Sequence, residues 1–128
     1  MTKKGLIREN DKLWSRIIKL LAKEKCEICG RQNALNSHHW YKGKKSGGVR
    51  VRWNLNNGVC VCAGCHFEAH QSGGSFCDKL LDKWGVEKYD KACMNITAEM
   101  QKGKMSIDEM EIIHEALKHK LEVLDDTL

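Results

Sequence analysis

The sequence has no run approaching the roughly 18 consecutive apolar residues that a membrane-spanning helix requires. Its first residues, MTKKGLIREN, lack the apolar stretch of a secretory signal. Proline is absent, which removes one source of rigidity from the loops. There is also no internal repeat of the length of a fold and no low-complexity tract. We therefore expect neither a membrane protein nor a secreted one, but a cytoplasmic protein.

Length and composition are those of an ordinary globular protein. With 41% hydrophobic and 30% charged residues, the 128 residues suit one compact domain over 1–128. The net charge of +5 is divided unevenly along the chain. Residues 1–60 carry 14 Lys and Arg against 4 Asp and Glu, whereas residues 61–128 carry 8 against 13. This division indicates either a basic face that meets a polyanion or a chance scatter of surface charge.

Hydrophobic periodicity predicts an α+β fold with helices at both ends of the chain. A first helix is expected over 10–25, where apolar residues recur at three- and four-residue steps. The last helix begins at a capping box, Ser106 to Glu109. Its apolar stripe is expected to pack on the rest of the domain, with a dimer seam as the alternative. The other predicted elements are strands over 35–40 and 59–62 and helices over 63–70, 75–84 (capped by Ser75) and 86–102.

Seven cysteines in a cytoplasmic chain indicate metal ligands or catalytic thiols, because disulfides do not persist in a reducing compartment. Four of them form two Cys-x-x-Cys pairs, which are Cys26 with Cys29 and Cys62 with Cys65. Two such turns can direct four sulfurs at one ion, and zinc suits four thiolates because it is soft and redox-inert. The pattern predicts a structural zinc. Cys77 and Cys93 are expected to be small buried residues, and Cys60 could be one too or compete as a ligand.

Four of the six histidines lie between or just after the cysteine pairs, as His38-His39 and His66-x-x-x-His70. Residues four apart on a helix share a face, so His66 and His70 can point at one ion. Adjacent residues on a strand diverge, which favours a division of labour between His38 and His39. One of them would bind the ion and the other would transfer a proton. The alternative is that these histidines extend the zinc site or are simply exposed.

The stretch from Cys26 to His70 resembles the HNH nucleases, also called His-Me finger or ββα-metal endonucleases, in the subgroup with a four-cysteine zinc. The resemblance is carried by the segments CEIC, SHHW and NNGVCVCAGCHFEAH. It is greatest to small phage-type HNH proteins, for which the cytoplasm would be that of a bacterial host. It implies a ββα-metal core over 26–72, an N-terminal helix over 1–25 and a helical C-terminal extension over 73–128.

Carried over by position, the family pattern implies that His38 and His66 bind a catalytic divalent ion. This ion would be magnesium or manganese, with zinc or nickel as alternatives. His70 matches a third ligand found in some members, and His39 becomes the general base that activates water. The implied reaction is metal-assisted hydrolysis of a DNA phosphodiester, which leaves 5′-phosphate and 3′-hydroxyl ends.

The family asparagine also has a match ahead of the second cysteine pair. Asn57 lies five residues before Cys62, and this spacing favours it over the neighbouring Asn54 and Asn56. In the family this asparagine orients the histidine-bearing loop or contributes to the metal site, so the resemblance implies a catalytic role for Asn57.

The connection between His39 and Asn57 is longer and more basic than in most relatives, and it includes 49–53 as a short strand or an extended arm. Lysine and arginine neutralise phosphates, and the glycines allow the backbone to adapt. The residues expected to contact DNA phosphates are Lys42, Lys44, Lys45, Arg50 and Arg52. The aromatic residues here either stack on an unpaired base or belong to the core, and they are Trp40, Tyr41 and Trp53.

Two classes of function compete at this point. The first is a metal-dependent HNH endonuclease, either monomeric or dimeric through its C-terminal helices. Selectivity for branched DNA is a narrower version of this hypothesis, by analogy with zinc-containing phage resolvases. The second is a non-catalytic zinc module that binds nucleic acid or a protein. The joint presence of His38, His39, Asn57 and His66 favours the enzyme, because a binding module has no need of that set.

Overall fold

The computed structural model describes residues 1–127, so Leu128 of the predicted C-terminal extension lies outside it. The described chain has an α+β architecture, as the sequence predicts, with five α-helices and one two-stranded antiparallel sheet. In residues 1–127 no helix combines the length and the hydrophobicity needed to cross a membrane. The elements in chain order are α1 (Lys3–Leu21), β1 (Leu35–His39), a 3-10 turn (Leu55–Asn57), β2 (Gly58–Cys62), α2 (Ala63–Gln71), α3 (Gly73–Trp84), α4 (Val86–Met100) and α5 (Ile107–Asp126).

Helix α1 begins earlier and ends sooner than the periodicity predicts. Its N-cap is Thr2, whose hydroxyl oxygen accepts a hydrogen bond from the backbone N–H of Gly5 at 3.0 Å. The first turns gave a weak signal because they contain a glycine and few apolar residues. After Leu21, both Lys23 and Glu24 adopt a φ of 56°, in the left-handed region, which ends the helix.

The starts of α3 and α5 differ in how well their caps were predicted. The Ser75 cap predicted for α3 is wrong, because that helix begins at Gly73, directly after Ser72. Only Ser72 separates α3 from α2, so no separate capping segment is needed. The capping box of α5 is confirmed. The Ser106 hydroxyl oxygen accepts from the backbone N–H of Glu109 at 3.1 Å, and the Glu109 carboxylate accepts from the Ser106 N–H at 3.3 Å.

Strands β1 and β2 pair antiparallel, with His39 opposite Gly58. The long connection between them is not a strand or an extended arm over 49–53, where the backbone instead makes successive turns. A Cβ on Gly58 would lie 2.3 Å from Cδ1 of Ile18 in α1. Only glycine therefore allows α1 to approach the start of β2 this closely. The consequence is that α1 lies directly beside the end of β1 that carries His39.

The hydrophobic core forms two clusters that share the hairpin. Val59 and Val61 of β2 belong to the cluster built with α3 and α4, whereas Cys60 between them belongs to the cluster built with α1 and α5. This division follows from the alternation of side chains along a strand. Met110 and Leu117 of α5 are buried in the second cluster. The predicted stripe of α5 therefore packs on the rest of the chain.

Candidate metal centres

The four cysteines of the predicted zinc site lie together. Cys26 and Cys29 occupy the turn after α1, Cys62 ends β2, and Cys65 lies in the first turn of α2. Their sulfur atoms all lie within 4.8 Å of one another. The Sγ atoms of Cys29 and Cys62 are 3.5 Å apart. Zinc–sulfur bonds of about 2.3 Å give a tetrahedral edge of about 3.8 Å. The cluster could therefore hold a structural metal such as zinc.

The start of α2 favours the ionised thiolate of Cys62, the form in which a cysteine binds a metal. A hydrogen bond from the backbone N–H of Cys65 lowers the pKa of the Cys62 thiol to about 7. Cys60 lies outside the cluster, and burial raises the pKa of its thiol to about 11. Its position in the second hydrophobic cluster explains why it does not act as a rival ligand. Cys77 and Cys93 are half-buried and also lie outside the cluster.

Three histidines form a second cluster between the hairpin and α2. His38 comes from β1, and His66 and His70 come from one face of α2, as their four-residue spacing predicts. Their ligand atoms lie within 4.8 Å of one another, and the Nε2 atoms of His66 and His70 are 3.1 Å apart. Metal–nitrogen bonds of about 2.1 Å give a tetrahedral edge of about 3.4 Å. The three imidazoles therefore fit one ion.

The surroundings of two histidines of the cluster, His38 and His66, favour their neutral form. Burial, together with smaller contributions from the neighbouring His66, His70 and His39, lowers the pKa of His38 to about 4. Burial also lowers the pKa of His66, with a second contribution from His70. A neutral imidazole is the form that binds a metal. At neutral pH, His38 and His66 therefore present nitrogen lone pairs.

His39 diverges from His38 along β1, as adjacent strand residues must, and it makes different contacts. Its Nε2 lies 2.7 Å from the backbone carbonyl oxygen of Arg52. Because a carbonyl only accepts, this contact assigns the ring proton to Nε2 and leaves Nδ1 as an acceptor. The ring stacks on Trp14 of α1, with centroids 4.1 Å apart and planes 8° from parallel. Burial lowers the pKa of His39, so the ring is neutral at neutral pH.

All four histidines line one cavity of about 400 Å³. The fold thus brings the adjacent histidines of β1 and the two histidines of α2 to one cavity. The remaining lining residues belong to β1 and to the long connection, and they are Ser37, Gly43 and Lys44. Of the lysines predicted to contact phosphate, Lys44 lines the cavity, whereas Lys42 and Lys45 lie outside its lining.

Asn57 is fully buried and orients the loop that follows the histidines. Its Oδ1 accepts from the backbone N–H groups of Tyr41 and Lys42, each at 3.1 Å. Its Nδ2 donates to the carbonyl oxygens of Lys42 at 2.7 Å and Val51 at 3.3 Å. These bonds hold both ends of the long connection, and they use the side-chain amide on backbone groups. The other two candidates, Asn54 and Asn56, instead donate to the side chain of Asn95.

Two of the five residues predicted to contact DNA, Arg50 and Arg52, are instead bonded to groups within the protein. Arg50 is 5% exposed, and its guanidinium donates to the carbonyls of Gly103 and Lys104 and to the carboxylate of Glu109. Arg52 makes two bonds to the carboxylate of Asp11, at 2.7 and 2.6 Å. Both guanidinium groups are thus paired with carboxylates of the chain itself, which reduces the number of donors left for a phosphate.

The three aromatic residues of the connection also differ in their exposure. Trp40 and Trp53 are buried, and their indole N–H groups donate to the Asn56 carbonyl and to Asp11, respectively. Both belong to the core and cannot stack on a base. Tyr41 is 38% exposed, with the ammonium of Lys42 4.8 Å from its ring centroid. Tyr41 is thus the one of the three aromatics that retains an accessible ring.

The sequence analysis missed two residues of α1 that reach the site. Asp11 and Trp14 line a second cavity of about 210 Å³ that shares Ser37, His39 and Lys44 with the first. Their spacing of three residues places them on one helix face. That spacing was a signal for a common surface, but it did not indicate which surface.

Comparison of the chain with protein-family models, with curated proteins and with solved structures gives no match.

Proposed function

We propose that this protein is a metal-dependent DNA endonuclease that hydrolyses phosphodiester bonds, with His39 as the general base. The observation that carries the proposal is the shared cavity. Three imidazoles that fit one ion line the same space as a fourth imidazole, whose ring is oriented by other parts of the chain. A non-catalytic zinc module would need the four cysteines, but it would not need this second arrangement.

Each cluster has its own role in the proposal. The four cysteines would hold zinc, which suits thiolates and fixes the turn after α1 to the start of α2. His38, His66 and His70 would hold the catalytic ion, whose chemistry is to stabilise negative charge on the phosphate and on the leaving 3′ oxygen. The lowered pKa values of His38 and His66 support this role, because both rings are neutral at neutral pH.

Three further residues have separate roles in the proposed reaction. His39 removes a proton from water through Nδ1, since its Nε2 proton is engaged by the Arg52 carbonyl. Asn57 keeps the connection after the histidines in place through its four backbone hydrogen bonds. Lys44 lines the cavity and binds a phosphate oxygen of the substrate.

The substrate in this proposal is DNA, held through its phosphates. Of the basic residues predicted to contact it, Lys44 and Lys45 are exposed and Lys42 is half-buried. Arg50 and Arg52 are left out of this role because both are paired with carboxylates within the chain. Three lysine contacts predict an affinity that falls moderately as the salt concentration rises. Because the stripe of α5 is buried within the chain, we propose that the protein acts as a monomer.

The proposal is tested by incubating the purified protein with supercoiled plasmid and magnesium or manganese, with EDTA as the control. We expect nicked or linear DNA that depends on the added metal. His39→Ala should abolish cleavage, because no other residue replaces the proton acceptor, while the metal content and the affinity for DNA remain close to those of the wild type.

The matched control is His119→Ala, which removes an exposed histidine of α5 that does not line the cavity. This variant should cleave as the wild type does. Undiminished cleavage by His39→Ala would refute the role of His39. A wild-type protein that binds DNA but never cleaves it with either metal would favour the binding module instead.

A further inference from the structure

The carboxylate of Asp11 accepts three hydrogen bonds from other parts of the chain. It accepts two parallel hydrogen bonds from Arg52, at 2.7 and 2.6 Å, and a third from the indole N–H of Trp53 at 2.9 Å. A planar guanidinium and a carboxylate joined by two bonds define an orientation as well as a distance. One side chain of α1 therefore fixes two consecutive residues of the long connection.

The backbone between these two side chains carries the group that contacts His39. The carbonyl oxygen of Arg52 belongs to the peptide unit that joins Arg52 to Trp53, and it accepts from Nε2 of His39 at 2.7 Å. Asp11 thus fixes the residue on each side of this peptide bond. Without that carboxylate, the carbonyl would lose the two contacts that set its direction.

Helix α1 also contacts the face of the His39 imidazole ring. Trp14 lies three residues after Asp11, and its indole is stacked on the imidazole with centroids 4.1 Å apart. The indole N–H is itself anchored, because it donates to the carbonyl of Asn54 at 3.0 Å. Trp14 therefore restricts the plane of the His39 ring, while the Arg52 carbonyl selects its rotation and its protonated nitrogen.

We propose that Asp11 is a positioning residue for His39, acting through Arg52 so that the imidazole keeps its proton on Nε2 and presents Nδ1 to the cavity. This inference rests on the proposed function, in which His39 is the general base. It assigns α1, which lies outside the segment that resembles HNH nucleases, a direct part in arranging the site. It also gives Arg52 a role other than the phosphate contact expected from the sequence.

The orientation of His39 is tested without substrate by nuclear magnetic resonance of the full chain with ¹⁵N-labelled histidine. Long-range proton–nitrogen correlations distinguish the two neutral tautomers of an imidazole. In mildly alkaline buffer, the wild type should show His39 protonated on Nε2. Asp11→Asn should move the His39 nitrogen shifts toward the average of two tautomers, because the carbonyl is no longer held. Unchanged His39 signals in this variant would overturn the inference.

A second variant keeps the test open if Asp11→Asn does not fold. Arg52→Lys retains the positive charge and the backbone carbonyl, but one ammonium cannot form the two parallel bonds to Asp11. It should shift the His39 signals in the same direction. The control is Glu9→Gln, which removes a carboxylate of α1 whose contact is an exposed pair with Lys12. Glu9→Gln should leave the His39 signals unchanged.

Cleavage assays give the second readout. Asp11→Asn should lower kcat by about 10- to 100-fold, the range typical of residues that orient a functional group from behind. The KM should change much less, because Asp11 is bonded to protein groups and not to substrate. A loss confined to thermal stability, with kcat equal to that of Glu9→Gln, would show a merely structural role and overturn the inference.

The two hypotheses fail in different ways. If the wild type cleaves no DNA, the proposed function fails, and the nitrogen shifts still decide whether Asp11 orients His39. If the wild type cleaves DNA and Asp11→Asn cleaves equally well with unchanged shifts, the positioning role fails and the proposed function stands.

Discussion

Arg50 shows how the surroundings of one residue decide between a binding role and a structural one. The sequence places it in a basic loop, where a phosphate contact is a reasonable expectation. In the fold, the loop turns back toward the segment before α5, and the guanidinium is satisfied by two carbonyls and by Glu109. A buried guanidinium without these partners would be costly, so Arg50 and Glu109 stabilise the fold as a pair.

The pairing predicts a specific dependence of stability on pH. The hydrogen bond from Arg50, aided by the Ser106 backbone N–H, lowers the pKa of Glu109 from its ordinary 4.5 to about 2. Because the folded-state pKa is the lower one, the stabilisation is complete above the ordinary value and is lost as the pH falls toward 2. We therefore expect Glu109→Gln to have a lower Tm than the wild type at neutral pH.

The difference in Tm between the two chains should shrink below about pH 4.5, where Glu109 begins to take up a proton in the unfolded state. Thermal unfolding followed by circular dichroism at several pH values measures this. Glutamine retains the capping interaction with Ser106, so the cap is not the cause of any change. A difference in Tm that stays constant down to pH 3 would contradict the assignment.

At the scale of single elements, the features with strong local signals were predictable. The capping box of α5, the four-residue spacing on α2 and the two strands all depend on nearby residues, and all are confirmed. The start of α1 was not predictable, because its first turns contain a glycine and few apolar residues. The start of α3 was not either, because Ser72 precedes that helix without a side-chain capping bond. The turns over 49–53 likewise depend on distant partners, since Arg50 bonds to residues near α5.

The side chain of Asn57 holds the connection between the strands in its conformation. Asn57→Ala removes four hydrogen bonds and leaves the Lys42 and Val51 carbonyls without this donor. Unsatisfied buried groups cost about 1–3 kcal/mol each, so we expect a loss of about 2–4 kcal/mol in the free energy of unfolding. Urea denaturation measures this loss. Cleavage should fall as well, because the loop no longer holds its place beside the histidines.

The matched control is Asn56→Ala, the same change at the neighbouring position. Asn56 is exposed and donates to Asn95, so its removal should cost less than about 1 kcal/mol. Equal losses for the two variants would show that the buried hydrogen bonds of Asn57 do not hold the connection.

At the scale of the whole molecule, the sequence indicates which residues share a site but not how the rest of the chain supports them. The cysteine and histidine spacings predict two clusters, and the fold brings each cluster together. The contacts of α1 with the site were not predictable from the sequence. Trp14 stacks on His39 and Asp11 bonds to Arg52 because α1 packs closely on the hairpin, which Gly58 permits. Contacts of this kind join segments far apart in the chain, and neither segment alone carries a sign of them.

The two clusters are also joined to each other, because Cys65 and His66 are consecutive residues in the first turns of α2. A metal on the four cysteines would therefore fix the helix that carries two of the three histidines.

The variant Cys29→Ser tests this coupling. We expect it to lose the structural metal, to have a Tm lower by about 10 °C or more because the metal-binding energy no longer stabilises the fold, and to bind metal more weakly at the histidines. Elemental analysis and thermal unfolding measure the first two effects, and titration with manganese measures the third. Cys77→Ser is the matched control, since Cys77 lies outside both clusters and should leave all three unchanged. If Cys29→Ser lost its metal but bound manganese as tightly as the wild type, the histidine cluster would be independent of the cysteines, and α2 would be held in place by its packing alone.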